Sequence, residues 1–206
     1  MDKKYISVDI ESSGLTPGKY SMLSLGACVV GKTNINFYRE LKPLNDNYIL
    51  EAMKIGCLEL ECLEKLKVYD EEVDAKNKNF NPLKVLKILE KSGEEPKKVM
   101  ADFANWIREN TKDSKAVETA GPIKFDGMFT AWYFDNFNDG QNPFEYSGED
   151  INSFFRGVKR NPYAHIEDMN LREQKHKHHA LHDAIYQAEL FEKVLKMIKI
   201  SPKTEK

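Results

Sequence analysis

Tyr5-Ile6-Ser7-Val8-Asp9-Ile10-Glu11-Ser12-Ser13-Gly14-Leu15-Thr16-Pro17-Gly18 is the stretch on which the fold turns. Its first half alternates apolar and polar residues with the period of a half-buried strand, and the Ser/Gly/Pro run that follows breaks the pattern. Met22 to Val30 reads as a second strand rich in small and β-branched residues, Gly31-Lys32-Thr33-Asn34 as a hairpin turn, and Ile35 to Arg39 as a third strand ending before Pro43. Three consecutive antiparallel strands make a meander.

Beyond the meander the period changes. Residues 47–69 read as helix in pieces, with Leu50, Met53, Leu60, Leu63 and Leu66 as the apolar positions. From Tyr69 to Pro82 the chain is acidic and then Lys/Asn-rich, which reads as a surface loop. With the short helix Leu83 to Leu89, stopped at Ser92-Gly93, it forms a polar insertion around 70–92, whose helix is expected to bury against the first sheet. Pro96 starts an amphipathic helix with Val99, Met100, Phe103, Trp106 and Ile107 on one face. A strand is expected within Ala116 to Phe125, close to Pro122-Ile123-Lys124-Phe125, then a helix opened by Asp126 at its N-cap, a short helix around Ile151–Val158, a polar histidine-bearing stretch, and a last helix from about Ala180 to Ile198. The order is that of an α/β domain built on one mixed β-sheet flanked by helices, with 1–200 as a single domain and 201–206 as a tail.

The bulk composition sets limits. The chain has 206 residues, 41% hydrophobic and 31% charged, with a formal charge of −2. That is a globular composition, and the near-balanced charge neither selects nor excludes nucleic acid as a partner. No apolar run approaches the ~20 residues of a membrane span. The start Met1-Asp2-Lys3-Lys4 lacks a signal peptide's apolar stretch, so the expected compartment is cytoplasmic. Cys28, Cys57 and Cys62 are an odd set without CxxC spacing, and Cys28 in its apolar strand reads as a reduced core thiol.

Asp9 and Glu11 are two apart at a strand end, so both carboxylates face one side. Their mutual repulsion makes a cation the natural compensation, although a pair reaching solvent from a strand end has the same spacing. Asp126 and Asp183 lie at helix starts, where capping or the helix dipole would also favour an acid. Singly, each acid reads both ways. Together they are four acids at element ends, with His178 five residues before the last.

At these positions the chain resembles a known family. Ser7-Val8-Asp9-Ile10-Glu11-Ser12-Ser13-Gly14-Leu15 is similar to the first motif of the DEDD, DnaQ-like 3′→5′ exonucleases. Phe125-Asp126-Gly127-Met128-Phe129 resembles the second motif. His178-His179-Ala180-Leu181-His182-Asp183-Ala184 is similar to the third in its histidine form. The resemblance implies a ribonuclease-H-like fold and hydrolysis of single-stranded RNA or DNA from the 3′ end to nucleoside 5′-monophosphates. It also implies two divalent cations, Mg²⁺ or Mn²⁺, held by Asp9, Glu11, Asp126 and Asp183; oxygen-only ligation suits both ions. Asp9 would bridge the two, and His178 would be the general base.

His179 has the spacing at which a sister group carries a tyrosine; the histidine form selects His178. Ser12 and Ser13 stand where threonines are commoner and would still cap the loop. Pro122-Ile123-Lys124 replaces the residues often found before the second motif. Ser12, Gly14, Leu15 and Phe129 resemble substrate contacts, with Leu15 and Phe129 against the terminal bases, though plain packing reads equally well for both. Lys159, Arg160, Arg172, Lys175 and Lys177 either follow the phosphates or form a solvated loop.

RNA is favoured slightly over DNA because no polymerase-binding appendage is visible, and a homodimer is compatible with the sequence. The competing readings are a catalytically silent nucleic-acid-binding protein of the same fold, a ribonuclease-H-like endonuclease, and a Mg²⁺-binding interaction domain using the 70–82 segment.

Overall fold

The computed structural model describes residues 2–112, 114–169 and 171–198; the expected tail at 201–206 lies outside them. The elements are β1 (Lys3–Ser12), β2 (Met22–Val29), β3 (Lys32–Glu40), α1 (Leu50–Gly56), α2 (Glu61–Glu64), α3 (Pro82–Ser92), α4 (Pro96–Thr111), β4 (Lys115–Ala120), α5 (Ile123–Phe137), β5 (Gly148–Asp150), α6 (Ile151–Lys159) and α7 (Ala180–Met197). Single 3-10 turns occur at Leu66–Val68, Glu71–Val73 and Ile166–Met169. The five strands form one mixed sheet in the order β3-β2-β1-β4-β5. β1 runs antiparallel to β2 and parallel to β4. The α/β expectation with a mixed, helix-flanked sheet therefore holds.

Alternation along β1 decides what each face carries. Ile6, Val8 and Ile10 enter a core with Val99, Phe103 and Ile107 of α4 and Phe129, Tyr133 and Phe134 of α5. The opposite face bears Ser7, Asp9 and Glu11 and lies under α7. There Cys28 and Val30 pack with Ala188, Phe191 and Val194 of α7 and Phe155 of α6. Cys28 is a free thiol, as expected, and its Sγ donates to the Ala184 carbonyl at 3.5 Å.

Gly26 sets how low α7 sits. It pairs with Asp9 across the β1–β2 ladder, so its missing side chain leaves a gap beside Asp9 on the same face. The first turn of α7 fills that gap: a Cβ built on Gly26 would lie 2.2 Å from both the Ala180 carbonyl carbon and the Leu181 nitrogen.

Several expectations need correction. The hairpin turn is Val30-Gly31, tighter than read, with Gly31 at φ +83 and Lys32 already in β3. The fourth strand is Lys115–Ala120, and Pro122 is the residue before α5. Proline has no N–H for a ladder, and buried Glu118 had made the real strand look polar. Asp126 is consequently the fourth residue of α5 rather than its N-cap. The short strand β5 was not anticipated.

The segment around 70–92 is no bare loop. Val73, Ala75, Val85, Leu86 and Leu89 close a satellite core with Met53, Cys57, Leu60 and Leu63, to which the sheet contributes Leu23. At the last helix's end, Ile198 is exposed rather than buried. Among the described residues no helix is long and apolar enough to cross a membrane.

Candidate active site

Asp9, Glu11, Asp126 and Asp183 arrive from three elements at one end of β1. The β1–β4 ladder stops at Ser7–Thr119, so β1 projects past its parallel neighbour and its next backbone groups lack a partner strand on that side. Asp126 supplies one: its Oδ1 accepts the Ile10 N–H at 3.0 Å, which ties the first turn of α5 to the strand between the other two carboxylates. Asp183 sits in the first turn of α7, brought down by Gly26. Its Oδ2 accepts the His178 N–H at 2.9 Å, and its Oδ1 accepts from the Gln174 amide.

His178 has φ +70, a left-handed conformation that costs a non-glycine residue energy and is held here by its bond to Asp183. The result is convergence. Glu11, His178 and Asp183 each offer a ligand atom, and these atoms all lie within 4.8 Å of one another. His179 is directed elsewhere: it is buried, stacks on Tyr38 with ring centroids 4.5 Å apart, and places Nε2 3.5 Å from Glu61. Of the two histidines whose spacing competed, the structure places His178 with the acids.

Crowding four carboxyls in a poorly solvated pocket raises all of them. Burial first, then the charges of Asp126, Glu11 and Asp183, push Asp9 well above the usual carboxylate range. Burial followed by Asp183 and Asp126 does the same to Glu11. Asp126 is pushed up to about 8, mainly by burial, against the opposing bond from Ile10, and Asp183 to about 6. Burial lowers the His178 imidazole below its ordinary value, with Lys177 adding to the shift. A set of buried and half-buried acids that cannot all ionise together, with a neutral imidazole at its rim, has the donor chemistry of a hard divalent-cation site.

The substrate-contact expectations divide. Ser12 Oγ donates to the Gly14 carbonyl at 2.7 Å, and Ser13 Oγ donates to the Asn47 carbonyl at 2.9 Å, so the serines do brace the loop. Gly14 faces the Tyr20 ring, where a Cβ would come within 2.4 Å. Leu15 is 63% exposed at the loop tip, available to a ligand. Phe129 is the correction: it is fully buried between β1 and α4, because a residue three after Asp126 on α5 turns toward the sheet, and it offers no face to a base.

Of the basic residues, Lys177 lines the cleft with Asp9, Asp183 and Gln187. Arg172 is paired with Glu189 at 3.1 Å.

The model of the Rv2179c-like 3′-5′ exoribonuclease domain matches residues 4–195. The chain belongs to this family. Its relatives include the 3′-5′ DNA exonuclease Cap18 of Escherichia coli, 35% identical over 199 residues that cover 94% of this chain and 92% of that one. Among solved structures, exonuclease I superposes on 95% of this chain with a TM-score of 0.62 at 16% identity. E. coli exonuclease I in complex with a dT13 oligonucleotide superposes on 95% with a TM-score of 0.59 at 15% identity. This chain spans 41% of each of those two chains, and the likeness is one of fold. It bears out the ribonuclease-H-like expectation, and membership makes the chain a 3′→5′ exonuclease.

Sequence reasoning missed Gln187. Its Nε2 donates to Asp9 Oδ1 at 2.7 Å while its Oε1 accepts the Gly121 N–H at 2.8 Å. The available signal was its position four after Asp183 on α7, one turn along the same face. Gln174 went unremarked for lack of any such spacing.

Proposed function

We propose that the chain hydrolyses single-stranded nucleic acid from a free 3′ end, releasing nucleoside 5′-monophosphates, with Asp9, Glu11, Asp126 and Asp183 holding two divalent cations, Mg²⁺ or Mn²⁺. The observation that carries this reading is the convergence of Glu11, His178 and Asp183 within 4.8 Å at the end of β1. The cations, when bound, would supply charge neutralisation at the phosphate and a more acidic water.

The rest is the work of side chains. His178, kept neutral by its surroundings, takes a proton from the attacking water. Asp183 holds the turn on which that imidazole rides. The Ser12–Gly14 loop is braced from within, and Leu15 at its tip is placed to meet the terminal base. Lys177 lines the same cleft and faces the phosphate backbone.

For the sugar, the reading puts RNA ahead of DNA, in keeping with the family's description. A DNA preference is the second reading, and the name of the Cap18 relative favours it. The proposed compartment is the cytoplasm.

The test is digestion of 5′-labelled single-stranded RNA and DNA of matched sequence with Mg²⁺, Mn²⁺ or EDTA, using wild type and Asp183→Ala. A metal-dependent ladder shortening from the 3′ end, absent in the variant, is the expected result, and the faster ladder names the sugar. Equal cleavage in EDTA, or by Asp183→Ala, would overturn the metal assignment.

A further inference from the structure

Three elements deliver the four acids, and one neutral side chain on the third, α7, bonds the first, β1, and the connection that leads into the second, α5. Gln187 grows from α7, one turn beyond Asp183. Its amide nitrogen donates to Asp9 on β1, and its amide oxygen accepts from Gly121, immediately before Pro122 and the helix that carries Asp126. We propose that Gln187 is a positioning residue that fixes the Asp9 carboxylate for cation binding and holds α7, β1 and the start of α5 in one register.

The amide has only one way round. Gly121 offers an N–H, which can only donate, so the oxygen of Gln187 must face it and the NH₂ must face Asp9. A flipped amide would set NH₂ against N–H and oxygen against carboxylate, losing both bonds and adding two repulsions. The contact to Asp9 is 2.7 Å, within ordinary N–H···O range.

The side chain's reach is filled from end to end. Asparagine at this position, one methylene shorter, would hold the same amide back toward α7, short of both partners. A glutamate would keep the bond from Gly121 and turn the other end into an acceptor facing an acceptor. Glutamine alone among the common side chains of this length brings a donor to Asp9 and an acceptor to Gly121 without adding charge. Outer partners that orient a ligating carboxylate typically hold 10–100-fold in metal affinity or activity, and the same scale applies here.

This inference rests on Asp9 being a cation ligand, so the experiment carries that control. Mn²⁺ binding to the metal-free chain is titrated calorimetrically and by the loss of free-ion EPR signal, for wild type, Gln187→Met and Asp9→Ala. Methionine keeps the length and apolar stem while removing donor and acceptor. Gln187→Met is expected to weaken Mn²⁺ binding by about 10–100-fold and to raise the Mg²⁺ needed for half-maximal rate by the same factor, leaving the oligonucleotide KM within about twofold. A residue that merely packs would lower thermal stability and leave the affinity of the folded fraction alone. Wild-type Mn²⁺ affinity in Gln187→Met, with Asp9→Ala losing its binding, overturns this inference only. Undiminished binding in Asp9→Ala overturns the site assignment itself. Should Gln187→Met not fold, Gln187→Asn, which keeps an amide too short to reach both partners, is read by the same titration and the same outcomes.

Discussion

Replacing Gly26 by alanine adds one methyl group on the β2 face, and its consequence can be worked from distances. The new Cβ would stand 2.2 Å from the Ala180 carbonyl carbon, 2.2 Å from the Leu181 nitrogen and 2.5 Å from the Ala180 oxygen, where ordinary contact begins at 3.4 Å. All three are backbone atoms, so no rotamer change relieves the clash. The first turn of α7 has to retreat by about 1.2 Å, the difference between 3.4 and 2.2 Å.

Asp183 and the His178 turn bonded to it travel with that helix start, while Asp9 and Glu11 stay on β1. Overpacking of this kind costs about 1–3 kcal/mol of stability. A misplacement of about 1 Å in a reacting constellation costs on the order of 100-fold in rate. The expected outcome for Gly26→Ala is therefore a folded enzyme with kcat down about 100-fold, followed as 3′ shortening of a labelled strand at saturating Mg²⁺, beside a thermal melt. Gly157→Ala on α6 is the control, since a Cβ there meets nothing within 4 Å; it should keep its rate and gain about 0.4–1 kcal/mol. Wild-type kcat in Gly26→Ala would refute the argument that this close approach places Asp183.

Two further outcomes follow from the same geometry. His178→Ala should lower kcat by about 10²–10⁴ with little change in melting temperature. His179→Ala, which loses the stack on Tyr38, should do the reverse, and comparing rate with melt for both variants checks it. Stability without metal should fall as pH rises: Asp126 and Asp183 have folded-state values of about 8 and about 6 against an ordinary 3.8. In that window the folded chain holds more protons than the unfolded one, so the free energy of unfolding decreases with pH. Melts in EDTA across pH 5 to 8 should show the decline, and Mg²⁺ should stabilise the chain most at the alkaline end; a flat difference between the two series would contradict the crowding of the acids.

What could be read from the chain beforehand was whatever is contiguous. The Asp9–Glu11 pair is a strand-period statement, and the His178–Asp183 spacing is a turn followed by one helical turn. Both are local, and the fold brings their side chains to one place. Asp126 was legible as an acid of the set but not as a brace on β1, because that partner is the Ile10 backbone, 116 residues away. Phe129 shows the opposite failure: an aromatic beside a motif reads equally as a stacking surface or as core, and only the packing of α5 on β1 decides. The fourth strand was displaced because Glu118, a carboxyl buried and hydrogen-bonded by Thr130, does not look like strand interior.

Gln187 and Gly26 were the hardest to see, and for the same reason. Neither carries the chemistry, and each acts on a residue that does. Gly26 matters through an absence opposite Asp9, which only the antiparallel register exposes. Gln187 matters through two bonds that cross 178 and 66 residues of sequence. A cluster of like charges is unstable alone, so its supports must be neutral, donor-bearing or vacant, and such residues have no motif. The acids announce a site by type and spacing. What keeps them together is written in residues whose types are ordinary, and their function appears only when the sheet register and the helix approach are known.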